Sequence, residues 1–271
     1  MGELLVSIQD LQINSRKKPI LSGVNVDIAA GEIVGIIGES GSGKSMTTKA
    51  MMNLIPGNLT VQGKILFKNQ DLLSMPPKEH RKLLGKEIGL IFQDYRGSFT
   101  PFFSIGKQIV ETICTHTKIR KKNAKEMTLE VLKEMGLEAD RVYRSYPFQL
   151  SGGQVQRAAI AMSLALQPSL LICDEITSAL DVVSGELVLD YISKIRKETG
   201  CAVLMVTHDL AQAYRRTDRI YVMQEGEIVE EGLPEQIRCH HKHPYTKKLC
   251  ACLLSLPEKE ALATRKRVIS L

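Results

Sequence analysis

The stretch from Gly31 to Ala50, GEIVGIIGESGSGKSMTTKA, constrains this chain more than any other. An apolar run sized for one buried strand ends in glycine, and a loop containing Gly38, Gly41 and Gly43 follows at once. Residues Lys44 to Ile55 then hold neither Pro nor Gly and predict a helix that Pro56 and Gly57 stop. Gly38, Gly43, Lys44 and Ser45 meet the spacing G-x-x-x-x-G-K-[ST] at every position. Gly41 and Gly43 allow the loop to turn several backbone N–H groups toward one anion, and the helix amino end adds its partial positive charge. The anion such a cradle fits is a phosphate. Lys44 is then expected to reach the β- and γ-phosphates of a nucleotide, and the Ser45 hydroxyl to coordinate Mg²⁺.

The rest of the chain predicts the sheet that this unit belongs to. LLVSIQDLQI and ILSGVNVDI read as two strands split by the polar turn NSRKKP, a β-rich opening. A further strand is expected from Ile88 to Phe92. From Asp94 to Gln149 the pattern turns helical, with Ile105 to His116 and Lys125 to Met135 as its clearest segments, and reads as an inserted helical subdomain. Strands and helices then alternate: a helix from about Gly153 to Leu166, strand Leu170 to Cys173, helix Val182 to Thr199, and strands Ala202 to Thr207 and Arg219 to Met223. Such alternation implies a mostly parallel α/β sheet.

Two further segments carry chemistry. LLICDE places Asp174 and Glu175 at the end of an apolar strand; beside a phosphate loop, Asp174 is expected to serve the Mg²⁺ shell and Glu175 to act as general base toward the attacking water. In LSGGQVQR, Ser151, Gly152 and Gly153 open a helix and make a second anion-binding amino end. One domain needs one cradle for one nucleotide, so the second is expected to serve another subunit's.

LSGGQ, together with GESGSGKS, Gln93, LLICDE, SALD (178–181) and His208 in LMVTHD, resembles the nucleotide-binding subunit of an ATP-binding cassette (ABC) transporter, over about Val6 to Gly232. The resemblance implies a P-loop NTPase cassette: a RecA-like α/β core, a β-rich antiparallel subdomain and an inserted α-helical subdomain at about 94–166. The cassette would occupy residues 1–235, and residues 236–271 a C-terminal extension. It also implies a head-to-tail dimer in which each ATP lies between one subunit's phosphate loop and the other's LSGGQ. The nucleotide would meet Gly38, Glu39, Ser40, Gly41, Ser42, Gly43, Lys44, Ser45 and Thr47 on one side, and Ser151, Gly152, Gly153 and Gln154 of the other subunit. Mg²⁺ would be held by Ser45, Gln93 and Asp174. Catalysis would fall to Glu175, to His208 as the switch histidine at the γ-phosphate, and to Gln93 as the lid glutamine near the attacking water. Asp181 would link the two sites.

DYRGSFTP after Gln93 and HKHPYTKKL in the tail resemble the oligopeptide, dipeptide and nickel branch of importers. The short chain is closest in kind to that branch's nickel and metal-chelate members, staphylopine-type metallophore uptake among them. The partners implied are two transmembrane permease subunits, a second ATPase subunit that is either identical or a paralogue, and an extracellular substrate-binding protein reached through the complex. The alternative is a soluble ABC ATPase not coupled to transport. Against the branch pattern, no aromatic stands at Ser15, where the adenine-stacking residue is expected; Ile176 replaces a proline, Tyr95 and Phe99 replace proline and leucine, and Val155 also departs.

Composition fits this reading. A net charge of +6 with both signs interspersed, the KIRKKNAK cluster included, predicts no nucleic-acid partner. No apolar run reaches the roughly 18 residues a spanning helix needs, and MGELLVSIQD lacks an export pattern, so the chain is expected at the cytoplasmic face of the membrane, held there by its partners. Six scattered cysteines suit a reducing compartment. Cys239, His240, His241, His243, Cys250 and Cys252 concentrate in the tail and invite a metal site, although the HPYT resemblance accounts for much of that stretch without one.

Overall fold

Val6, Ile8, Leu11 and Ile13 are buried along β1 (Leu4–Asn14), and Leu21, Val24, Val26 and Ile28 along β2 (Pro19–Ala29). Apolar side chains recurring at near-alternate positions are what a strand with one face in a core requires, although Leu5 and Ser7 of β1 are buried as well, and the two strands pair antiparallel. The alternation slips between Ile8 and Leu11, where the register shifts and Asp10 takes a φ of 46°. That bulge returns the second half of β1 to the same apolar face. The computed structural model describes residues 3–16, 18–91, 95–177 and 180–254.

β3 (Ile33–Ile37) is buried at every residue, as expected of a strand covered on both faces. α1 (Lys44–Met51) follows the glycine loop and stops four residues short of the expected Ile55. Asn53 adopts a left-handed φ of 52°, its N–H bonds Ala50 O at 3.0 Å, and Leu54 N–H bonds Lys49 O at 2.9 Å. This is a Schellman closure with Asn in the place glycine usually takes, and it ends the helix before Pro56 is reached.

β4 (Thr60–Phe67) and β5 (Gln70–Asp71) complete a four-stranded sheet in the order β2-β1-β4-β5. α2 (Pro77–Leu83) leads to β6 (Ile88–Ile91). The helical stretch then comprises α3 (Ile105–His116), α4 (Lys121–Glu134), α5 (Ala139–Arg144) and α6 (Gly152–Leu164). α4 starts four residues before Lys125, so Lys121 and Lys122 of the basic cluster lie exposed on its first turn. Beyond it, β7 (Leu170–Asp174), α7 (Val182–Thr199), β8 (Ala202–Thr207), α8 (Leu210–Arg216), β9 (Arg219–Gln224), β10 (Glu227–Gly232), α9 (Pro234–Cys239) and α10 (Pro244–Leu254) follow.

The second sheet has six strands in the order β10-β9-β3-β8-β7-β6, parallel except for the β9–β10 pair. Its two faces carry separate cores. Along β7, Leu170 and Ile172 pack with β1, β2 and α1, whereas Leu171 and Cys173 pack with α3 to α7. Period-two geometry divides one apolar run between an antiparallel-sheet layer and a helical layer. Cys173 and Cys201 are free thiols buried in that helical-side core.

Arg157, six residues into the LSGGQ-bearing α6, joins that helix to the end of α4. Its Nη1 donates to Met135 O at 3.0 Å and Gly136 O at 3.1 Å, carbonyls that the finished helix leaves unpaired. Arg157→Ala should lower the unfolding free energy by about 1–2 kcal/mol, measured by urea titration, because it orphans a helix end and removes a charge-assisted bond.

Candidate nucleotide site

The loop after β3 is built on backbone that only glycine tolerates. Gly38, Gly41 and Gly43 have φ of 155°, 82° and 111°, and a Cβ on Gly38 would lie 2.2 Å from Met223 O. Gly43 caps α1 with no side-chain hydrogen bond and there is no acidic residue in the first turn, so the helix amino end faces the loop uncovered.

Lys44 is buried, and its Nζ donates to Gly38 O and Glu39 O, each at 2.8 Å, curling the loop around its own side chain. Burial holds its pKa below the ordinary lysine value, opposed by the nearby Glu175 and Asp174 carboxylates. Ser42 is buried behind the loop, whereas Glu39, Ser40 and Gly41 are exposed. Thr47 is also buried, and its hydroxyl donates to Gly43 O at 3.3 Å, bracing the loop from within the helix.

Parallel pairing carries the other groups to the same edge. Ile37 lies opposite Thr207 and Asp174 opposite Val206, so the segments leaving β3, β7 and β8 emerge side by side. Ser45 Oγ donates to Asp174 Oδ1 at 3.2 Å, and burial raises the Asp174 pKa. A hydroxyl and a carboxylate so placed are the hard oxygen donors that Mg²⁺ selects, and the donor set therefore fits that ion.

Glu175 leaves β7 with a φ of 50°, tied by its N–H to Val206 O at 2.9 Å. A left-handed non-glycine residue costs about 1–3 kcal/mol and is commonest where function fixes a side chain. That turn brings Glu175 Oε1 to 3.1 Å from His208 Nδ1, which sits past the end of β8. Asp209 anchors the histidine's loop by capping α8 at Gln212 N.

Ser151 caps α6 in a reciprocal box: Gln154 N–H donates to Ser151 Oγ at 3.3 Å, and Ser151 N–H to Gln154 Oε1 at 3.0 Å. Ser151 and Gly152 are exposed, so this second amino end is open to solvent. Asp181 likewise caps α7, accepting from Ser184 N–H at 2.9 Å, which lowers its pKa. Gln93 lies outside the described residues, as do Asp94, Ser178 and Ala179. Ser15 sits at the β1–β2 turn, where its hydroxyl donates to Lys18 O at 2.8 Å and its Oγ accepts from Lys18 N–H at 3.1 Å.

Sequence reading missed Gln156. It is buried on α6, and its Nε2 donates to Ile176 O at 2.6 Å, linking the LSGGQ helix to the turn that follows Glu175. Among the described residues, no three His, Cys, Asp or Glu side chains gather as a metal site. In the tail, Cys250 is instead buried against Tyr214 Oη at 3.1 Å, while the Cys252 side chain lies outside the described residues. No described helix is long and apolar enough to cross a membrane.

The family model for ABC transporters matches residues 21–178. The dipeptide transport ATP-binding protein DppD of Haemophilus influenzae is 40% identical over 94% of this chain and 78% of its own length. The metal-staphylopine import system ATP-binding protein CntD of Staphylococcus aureus is 38% identical over 90% of this chain and 92% of its own. The dimeric ATP-binding cassette MJ0796, solved in a post-hydrolysis state with ADP and Pi, superposes with a TM-score of 0.77 at 30% identity, covering 85% of this chain and 99% of that one. CbiO1 of Clostridium perfringens, part of the ABC transporter complex CbiONQ, superposes with a TM-score of 0.74 at 25% identity, covering 97% and 100%. With the phosphate loop, the acidic strand end and the LSGGQ helix on one cassette fold, the chain belongs to the ABC transporter family as an ATP-binding, ATP-hydrolysing subunit.

Proposed function

We propose that this chain is the energy-coupling ATPase of an importer for peptides or metal chelates, acting at the cytoplasmic face of the membrane as one half of a head-to-tail cassette pair. The observation that carries the proposal is the meeting of Lys44, the Ser45–Asp174 pair and the Glu175–His208 pair at one sheet edge, while the capped amino end of α6 stays exposed. A phosphate chain in the loop would take Lys44 Nζ from the carbonyls it now holds. Ser45 and Asp174 would hold Mg²⁺, with Gln93 as its third protein neighbour; the ion's contribution when bound is to neutralise charge on the phosphates.

Glu175 would orient the attacking water and accept its proton, and His208 would sense the γ-phosphate while holding Glu175 in place. The Ser151 hydroxyl and the Gly152 and Gly153 N–H groups would supply the anion site for the partner's ATP, with Gln154 fixing their geometry through the capping box it closes on the Ser151 N–H. Closure and reopening of that pair would be passed to two permease subunits, which receive cargo from an extracellular binding protein.

Identities of 40% to a dipeptide cassette and 38% to a metal-staphylopine cassette weigh the two cargo classes equally. Deleting the chain in its host and comparing uptake of labelled nickel, cobalt, zinc and peptides tests the assignment. Loss confined to one cargo is expected; unchanged uptake of all of them would remove the importer reading.

A further inference from the structure

The HKHPYTKKL stretch has no role in the site described above, yet the fold holds it in place through several contacts. Glu230 on β10 accepts Lys242 N–H at 2.7 Å and His243 N–H at 3.0 Å on its two carboxylate oxygens. His243 Nδ1 then accepts Tyr245 N–H at 3.3 Å as α10 begins. Tyr245 and Leu249 pack against a small core of Ile37, Leu210, Ile220 and Val222. Ile37 is the last residue of β3, immediately before Gly38, so the tail is seated against the root of the phosphate loop.

From that seat the Tyr245 hydroxyl accepts the Glu39 N–H at 2.9 Å. Burial pushes the Tyr245 phenol above its ordinary pKa, away from the physiological range in which it is already neutral. The Glu39 peptide is thus held from both sides, because its carbonyl takes Lys44 Nζ at 2.8 Å and Ser42 N–H at 3.2 Å. These holds answer differently to nucleotide. Phosphate oxygens compete with the carbonyls for Lys44, whereas the Tyr245 bond is made on the Glu39 N–H and involves neither Lys44 nor the carbonyls that hold it.

We propose that Tyr245 is a positioning residue for ATP: its hydroxyl fixes the entrance of the phosphate loop when Lys44 transfers to the phosphates, and the Glu230 clamp sets its place. This rests on the reading of that loop as the ATP cradle. A preset loop needs less ordering when nucleotide arrives, so the contribution belongs to affinity rather than to the chemical step.

The test is Tyr245→Phe in the full-length chain together with its partner cassette. Phenylalanine keeps the ring in the Ile37 cluster and deletes only the acceptor. KM for ATP, and Kd for a non-hydrolysable ATP analogue, should rise by about two- to tenfold, the range expected for one hydrogen bond, with kcat and the melting temperature nearly unmoved. Glu230→Ala should reproduce the rise, and adding Tyr245→Phe to it should cost little more, because both remove the same hold. A Tyr245→Phe chain with native KM and Kd would overturn the proposal, whether or not its melting temperature falls, since packing alone would then explain the contact. Lys44→Ala, run alongside, reports on the cradle itself: if it binds nucleotide as tightly as the native chain, the site reading fails, a result separable from the Tyr245 outcome.

Discussion

Replacing Glu175 by Gln should leave ATP binding intact and cut steady-state phosphate release by about a hundredfold or more. The substitution is confined to the carboxylate's chemistry. Gln has the same length, meets the same left-handed backbone requirement at a φ of 50°, and its carbonyl oxygen can still accept from His208 Nδ1. The backbone tie to Val206 O is untouched. What is lost is the basicity proposed to take a proton from water. Phosphate release at saturating ATP, with nucleotide affinity measured on the same preparation, separates the two effects; native turnover in Glu175→Gln would refute the base assignment.

Lys44→Ala should do the reverse and weaken nucleotide affinity by about ten- to a hundredfold, the range expected for charge-assisted bonds to phosphate. The loss has a second source in this site. The Glu175 and Asp174 carboxylates lie close enough to act on the Lys44 pKa, and without the lysine their charge opposes an incoming polyphosphate. The same lysine is a cost to folding. Its pKa is held below 10.5, so the folded state disfavours the proton relative to the unfolded chain. That penalty is full below the folded pKa and vanishes as pH rises past the unfolded value. Lys44→Met, which keeps the chain length without the charge, should therefore melt no lower than the native protein at neutral pH while binding nucleotide poorly; isothermal titration and a thermal scan measure both.

Much of this architecture is legible in residue order because it depends on local pattern. β3 and its glycine loop, and the buried strands β7 and β8, are apolar runs whose neighbours punctuate them clearly. The elements that escape are those with weak local signals. In β4 only Ile65 and Phe67 are buried, and β10, EIVEEG, is a charged edge strand with no buried residue. α2, α8 and α9, of seven, seven and six residues, are too short to establish a helical period.

The site divides the same way. Lys44, Ser45, Asp174 and Glu175 announce themselves by spacing and residue type. The Glu175–His208 bond depends on Asp174 lying opposite Val206, a register that no local pattern encodes. Gln156 reads as an ordinary helix residue until α6 is packed against the turn containing Ile176. Tyr245 meets Glu39 across 206 positions of chain, a separation that places the contact beyond any reading of motifs one at a time.

If ATP is shared between the phosphate loop of one cassette and the open α6 amino end of another, the Glu175→Gln chain should trap the pair that shares it. Because that variant should bind ATP without consuming it, the closed pair should accumulate. Size-exclusion chromatography with light scattering, in Mg-ATP and with the paralogous cassette supplied where the chain does not pair with itself, should show the mass of two cassettes with nucleotide and of one without. A Glu175→Gln chain that retains ATP yet stays at the mass of a single cassette with itself and with its paralogue would contradict the shared site.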